Sequence, residues 1–214
     1  KDKSIKDNAS PHVGNSYLTK IDVKNFFPSI KKKDIKKIFI KVGCSPAVAN
    51  VLTRIVSFDK HIPQGYPTSS AIGNLFMAMF CYLKIKGICS KNHYVFSIWV
   101  YDIAISSKTP ISEVYLQETI RAIESSGLKV HRRRKLKRLG PSKRKLVTGI
   151  ITNEKLNLPK KWIRELDLKL HLAYTNGLAD LATGRCSEKY EKSVKKSLSK
   201  NRKPRPPEQW AKDH

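Results

Sequence analysis

The amino-acid sequence predicts an α+β fold, a sheet backed by helices. Three observations carry that prediction. Two strand-like segments each present a carboxylate: Asp22 closes Tyr17–Asp22, and Asp102 lies within Val100-Tyr101-Asp102-Ile103-Ala104-Ile105. A long apolar stretch, Ser69–Gly87, has the length of a helix and reads as one packed against a sheet. Lys31–Val42 and Ile111–Ser125 place their apolar residues at helical spacing, as amphipathic helices do.

Taken in order, residues 1–15 are polar and turn-rich, and Tyr17–Asp22 follows as a short buried strand. In Lys31–Val42, Ile35, Ile38, Phe39 and Val42 share one face, while Lys32, Lys36 and Lys37 fall mostly on the other. Pro46–Phe58 is a second helical candidate, and Ser69–Gly87 a third (Ile72, Leu75, Phe76, Met79, Phe80, Leu83). His93–Trp99 and Val100–Ser106 read as a hairpin around Asp102. Ile111–Ser125 is a helix ended by Gly127. Leu128–Val130 and Leu146–Thr152 are strand candidates on either side of a very basic connection. Leu158–Tyr174 reads as a helix with Pro159 in its first turn, and beyond Gly184 the tail turns Pro-rich and weakly ordered. No internal repeat is evident.

With 214 residues, the chain can bury a sizeable core in one or two domains. It carries 43 Lys+Arg against 17 Asp+Glu, a formal net charge of +26. Such a surplus repels itself unless an anion offsets it, and nucleic acid is the commonest such partner. An anionic membrane ranks well below, because neither an 18-residue apolar run nor a basic helix with Trp or Leu anchors stands out. The cysteines (Cys44, Cys81, Cys89, Cys186) form no CxxC pair and no zinc spacing with His, so buried free thiols in a reducing compartment are expected. No signal peptide is read. The chain begins at Lys1 without methionine and is expected not to be a complete natural N-terminus.

A lone aspartate is most simply a cap or an exposed hairpin charge. Asp22 precedes Phe26-Phe27-Pro28-Ser29-Ile30, and Ile62-Pro63-Gln64-Gly65-Tyr66-Pro67-Thr68-Ser69 lies downstream, which favours a site. Asp102 is flanked by Val100, Ile103 and Ile105, where a carboxylate needs a partner or a metal. Nucleotidyl transfer uses two divalent ions about 4 Å apart, and Mg2+ takes hard oxygen ligands. Asp22 and Asp102, with the backbone carbonyl of Val23, are the candidate ligands.

Five ordered segments resemble retron-type (bacterial) reverse transcriptases over about Ser4 to Tyr174. Asn8-Ala9-Ser10-Pro11-His12 looks like the group's NAxxH element, and Asp22 to Ile30 looks like polymerase motif A. Gln64-Gly65-Tyr66-Pro67-Thr68-Ser69, with Asn74-Leu75, looks like motif B. Trp99-Val100-Tyr101-Asp102 falls where the family has Tyr-x-Asp-Asp, and Val147-Thr148-Gly149 looks like the VTG element.

The resemblance implies a reverse-transcriptase palm and partial fingers over 1–152, then a helical thumb and basic tail over 153–214. It implies an RNA-directed DNA polymerase with two Mg2+ ions, with Asp22 and Asp102 catalytic. Phe27 would be the steric gate against a 2′-hydroxyl, one of Phe26 and Phe27 being core. Gln64 and Gly65 would lie under the incoming nucleotide, Gly65 allowing close backbone approach; alone they read as an ordinary turn. Residues 129–145 hold ten Lys or Arg and no acid. Arg134 or Lys135 would stand near the leaving pyrophosphate, or the stretch grips phosphates without specificity. Asn8 and His12 are structural or RNA-contacting, and Val147, Thr148 and Gly149 belong to the region that recognises a structured RNA priming from an internal 2′-hydroxyl. Lys160, Lys161, Arg164 and Lys169 would track duplex on the thumb. Implied partners are that RNA, the RNA–DNA hybrid, dNTPs and an effector protein, with no membrane. The implied setting is cytoplasmic and serves phage defence.

Four departures qualify the resemblance. Tyr101 replaces the first aspartate of the pair, Trp99 the usual tyrosine, Tyr66 a small residue, and Ser70 a common proline. Much of the fingers, N-terminal to Ser4, is expected to be absent. Tyr101 weighs most, since a phenol is uncharged at neutral pH and leaves the ions one anionic ligand short. The alternative is an impaired or catalytically dead reverse-transcriptase-like scaffold that binds RNA. An unrelated basic RNA-binding domain matching by chance is the third reading.

Overall fold

A computed structural model describes residues 4–132 and 136–165. By its internal contacts the chain divides into two units, 1–157 and 158–214. In the first, α1 (Ile5–Ala9) opens with a capping box in which Ser4 and Asp7 satisfy each other's backbone N–H. A single 3₁₀ turn, Ser10–His12, follows. The polar, turn-rich reading of this region missed that helix, because five residues are too few to show a period.

Next come β1 (Tyr17–Lys24), α2 (Phe26–Ser29), α3 (Lys32–Lys41) and α4 (Pro46–Val56). Strand β1 runs two residues past Asp22, so the carboxylate is not at its end. The chain then turns through Asn25 at φ 47°, a left-handed conformation that Asn tolerates. The long apolar helix runs from Ser69 to Lys91, as α5 (Ser69–Phe76), a π-helical segment Met77–Tyr82, and α6 (Leu83–Lys91). By length and composition it could cross a membrane, yet its apolar residues Ile72, Phe76, Met77, Cys81, Ile85 and Cys89 belong to the core.

The remaining elements are β2 (Val95–Trp99), β3 (Asp102–Ser107), α7 (Glu113–Glu124), β4 (Lys129–Val130), β5 (Lys137–Leu139), β6 (Leu146–Val147) and β7 (Ile150–Ile151). Among the described residues the main sheet runs β2-β3-β1-β4, with β5 also on β1, and its pairings are antiparallel. The expected single strand Leu146–Thr152 is instead the β6–β7 hairpin, turning at Thr148 (φ 46°) and Gly149 (φ 82°). Strand β5 was hidden in the basic connection.

Alternation along the strands sorts the sheet's two faces. Ile21, Val23, Ile103 and Ile105 join the helices in the main core. Leu18 and Ala104 point the other way, where Ala9, Val147 and Ile150 make a smaller cluster. That cover includes parts of the N-terminal turns and the β6–β7 hairpin, and the carboxylates at the far end of the strands are outside it. In the second unit, helix begins at 160, and Lys160, Lys161 and Arg164 are exposed, with Lys161 3.7 Å from Glu165. Lys169 and Tyr174 lie outside the described residues.

Candidate active site

Strand register builds the site. Asp22 of β1 stands directly across from Asp102 of β3, and Asp102 directly across from Trp99 of β2. On the other edge of β1, the His131 N–H donates to the Asp22 carbonyl (3.0 Å) and His131 Nε2 lies 3.7 Å from Asp22 Oδ2. A row of Trp99, Asp102, Asp22 and His131 therefore crosses the sheet.

Because the Asp22 carbonyl points toward His131, Asp22 and Asp102 form a non-hydrogen-bonded pair. In such pairs Cα atoms are about 4.5 Å apart and the side chains are closest. By the same alternation, the Val23 carbonyl points toward the β2–β3 turn, while its side chain is buried. Two carboxylates and a carbonyl thus converge on one end of the sheet. Like charges so placed repel, and a cation bound between them would relieve the repulsion. Among the described residues no group of three His, Cys, Asp or Glu side chains is placed to hold a metal.

Tyr101 and Val100 form the two-residue turn between β2 and β3. Val100 has φ 56°, a conformation that glycine favours and a β-branched residue adopts only under strain. The Tyr101 ring packs on Phe26 (centroids 5.5 Å apart, tilted) and edge-on to Phe27 (6.1 Å), and is 37% exposed. Phe26 is in the core and Phe27 half-buried against it, so one of the two is core as expected. The reason differs, since both lie in α2 rather than alternating along a strand. Helix α5 meets them at Gly73, where an added Cβ would lie 2.7 Å from Phe26 Cε1 and 3.5 Å from Phe27 Cε1.

Gln64 and Gly65 lie in the exposed loop before α5. Gly65 has φ 93° and open space where a Cβ would go, so its backbone angle requires glycine, rather than a close approach within this chain. Arg134 and Lys135 lie outside the described residues. Neighbouring arginines have protein partners: Arg132 pairs with Glu124 (2.7 Å), and Arg138 pairs with Glu113 and donates to the Ile111 carbonyl (2.8 Å). Both ends of the basic connection are thereby tied to α7.

The NAxxH and VTG segments meet. Asn8 Nδ2 lies 3.5 Å from Thr148 Oγ1, and Thr148 donates to the Ile5 carbonyl (3.2 Å). Of the two alternatives for His12, the geometry favours the structural one. Its ring has no exposed surface and lies between Ser106 Oγ (2.7 Å) and Ser97 Oγ (2.8 Å), with Asn15 also donating to Ser106 (2.8 Å). The Val147 side chain is also buried, leaving Thr148 and Gly149 at the hairpin tip as the accessible part of that element. Cys81 and Cys89 are buried free thiols, and burial pushes Cys89 up to about 12; Cys44 is half-buried, and Cys186 lies outside the described residues.

No protein-family model matches the chain. Its fold resembles that of apo telomerase from Candida tropicalis truncated from the C-terminal domain (TM-score 0.52, 10% identity, covering 72% of this chain and 37% of that one). The likeness fits the α+β arrangement of an antiparallel sheet and backing helices seen in this chain. In sequence, the chain is 28% identical to the retron Ec86 reverse transcriptase of Escherichia coli over 80% of its own length and 53% of that protein. It is 26% identical to the retron Mx65 reverse transcriptase of Myxococcus xanthus, over 95% of this chain and 53% of that one. The retron Mx162 reverse transcriptase of the same organism is 22% identical over 79% of this chain and 42% of that one. These matches relate the chain to the retron-type reverse transcriptases. It spans about half the length of the first two.

Proposed function

We propose that the chain carries the polymerase centre of an RNA-directed DNA polymerase, with Asp22 and Asp102 as its catalytic carboxylates. The observation that carries this reading is their direct cross-strand pairing at one end of the sheet. In this reading β1, β2 and β3 with α5 and α6 are the palm, the preceding segments are partial fingers, and residues from 153 begin the thumb. The template is a structured RNA, the product an RNA–DNA hybrid and the substrates are dNTPs. The setting is cytoplasmic, in phage defence with an effector protein.

Two carboxylates and the Val23 carbonyl fit one Mg2+, whose remaining positions phosphate oxygens and water can fill. When bound, the ion would lower the pKa of the attacking hydroxyl and offset phosphate charge. For the second ion that the resemblance implies, no third carboxylate joins Asp22 and Asp102 among the described residues. Asp22 and Asp102 orient the reacting groups, and Phe27 screens the sugar. Gln64 and Gly65 face the nucleotide, and Arg134 or Lys135 meets the leaving pyrophosphate. Thr148 and Gly149, with Asn8 beneath, present a surface to the RNA, and Lys160, Lys161 and Arg164 grip duplex.

A second reading, an impaired polymerase kept as an RNA-binding scaffold, rests on Tyr101, whose ring packs on Phe26 and Phe27 and offers the site no anion. Primer extension on an RNA template with Mg2+ separates the two. The Tyr101→Asp chain is expected to extend on the order of 100-fold faster than the unaltered one, as recovery of a ligand worth a few kcal/mol implies. Extension by neither, with RNA binding intact, leaves the scaffold.

A further inference from the structure

Lys20, Asp22 and Lys24 alternate along β1 and so point to one face of the sheet. Lys20 stands directly across from Lys137 of β5, and Lys24 directly across from Lys129 of β4. Two lysine–lysine pairs therefore flank Asp22, one on each side along the strand. Directly opposed side chains have Cβ atoms about 5 Å apart, and like charges there destabilise a sheet. Lys24, Lys129 and Lys137 are exposed and Lys20 half-buried. Among the described residues, none of the four ammonium groups has an ion pair or a hydrogen bond. Asp22 and Asp102 between them offset part of this charge, but four ammoniums face two carboxylates.

Beside the second pair the surface opens into a cavity of about 540 Å³ lined by Lys24, Glu124, Gly127, Leu128, Lys129 and Val130. Glu124 is there already matched by Arg132. The free protein thus holds a repulsive arrangement that an anion would relieve. Lys20 to Lys24 spans four residues, roughly 13 Å at 3.3 Å each. That is well beyond the axial rise of about 3.4 Å per nucleotide, so the two pairs would meet different phosphates of a strand rather than those of one nucleotide.

We propose that Lys20, Lys137, Lys24 and Lys129 form a phosphate track that holds the backbone of one nucleic-acid strand across the Asp22–Asp102 pair. The polymerase reading supplies the identity of the strand; the placement of the lysines stands without it. Removing one pair removes about two phosphate contacts, each worth about 0.9 in the slope of log affinity against log salt.

The test uses the full chain and a fluorescein-labelled 20-base-pair RNA–DNA hybrid, with binding followed by anisotropy from 50 to 400 mM KCl. The variants are Lys20→Gln with Lys137→Gln, Lys24→Gln with Lys129→Gln, and a charge-matched control, Lys86→Gln with Lys91→Gln on α6. Each track variant is expected to bind about 10-fold more weakly near 0.1 M salt, with a slope shallower by about 2. Each is also expected to melt higher than the unaltered chain at low salt, because repulsion is gone. Track variants that behave like the control would overturn the proposal, as would a lowered melting temperature with an unchanged slope. A loss seen only for dATP, measured by competition, would assign the lysines to a free nucleotide and overturn the strand. If the track variants lose the hybrid while neither the unaltered nor the Tyr101→Asp chain extends a primer, the polymerase reading fails and the track stands. If primers are extended but the track variants bind the hybrid as the control does, the track fails and the polymerase reading stands.

Discussion

Burial holds the His12 pKa down at about 4, against 6.5 for an exposed imidazole, because its neutral ring fits between Ser97 and Ser106 and a charged one would lose its water. The unfolded chain therefore binds a proton between pH 6.5 and 4 that the folded chain does not. That difference leaves the contribution of His12 whole above pH 6.5 and removes it as pH falls toward 4, a loss of about 3 kcal/mol. Urea unfolding at pH 7 and at pH 4 measures it. The unaltered chain is expected to lose about 3 kcal/mol more over that range than His12→Gln, which cannot titrate, and parallel losses would contradict the assignment. Tyr101 poses the opposite balance. Its two ring contacts contribute about 0.5–1.5 kcal/mol each, while an aspartate in its place would, on the proposed polymerase reading, bear on catalysis and not on packing. Tyr101→Asp should therefore fold, somewhat less stably, which makes it a usable test of the site.

At the scale of elements, α5 owes its place to Gly73. Alanine there gains up to about 1 kcal/mol of helix propensity but drives a Cβ to 2.7 Å from a ring that is itself buried. Overpacking of this kind costs about 1–3 kcal/mol, so Gly73→Ala is expected to destabilise, by the midpoint of urea unfolding. A raised midpoint would mean that the rings yield freely. Helices α3, α4 and α7 were legible because each has ten or more residues with a buried stripe. The β6–β7 hairpin was not. Its strands have two residues each, too short for alternation, and a Thr-Gly turn inside an apolar run reads as continuous strand. Strand β5 escaped because Lys137 and Arg138 are exposed, so its sequence reads as basic loop.

For the whole molecule, the net charge of +26 points to an anionic partner, and the order of the motif segments suggested that Asp22 and Asp102 share a site, which the strand register brings about. What spacing could not supply was the other edge of β1. His131, Lys129 and Lys137 come beside Asp22 only through pairings of two and three residues, formed across more than a hundred positions of sequence. Nor could it place the Tyr101 ring, which depends on α2 and α5 arriving together. If the carboxylate pair is a cation site, Trp99, directly across from Asp102, provides its reporter. Terbium titrated into the chain and excited through tryptophan should give sensitised emission that saturates, is competed by Mg2+, and is lost in both Asp22→Asn and Asp102→Asn. Emission unchanged in those two variants, or absent from the unaltered chain, would contradict the claim that Asp22 and Asp102 hold a metal.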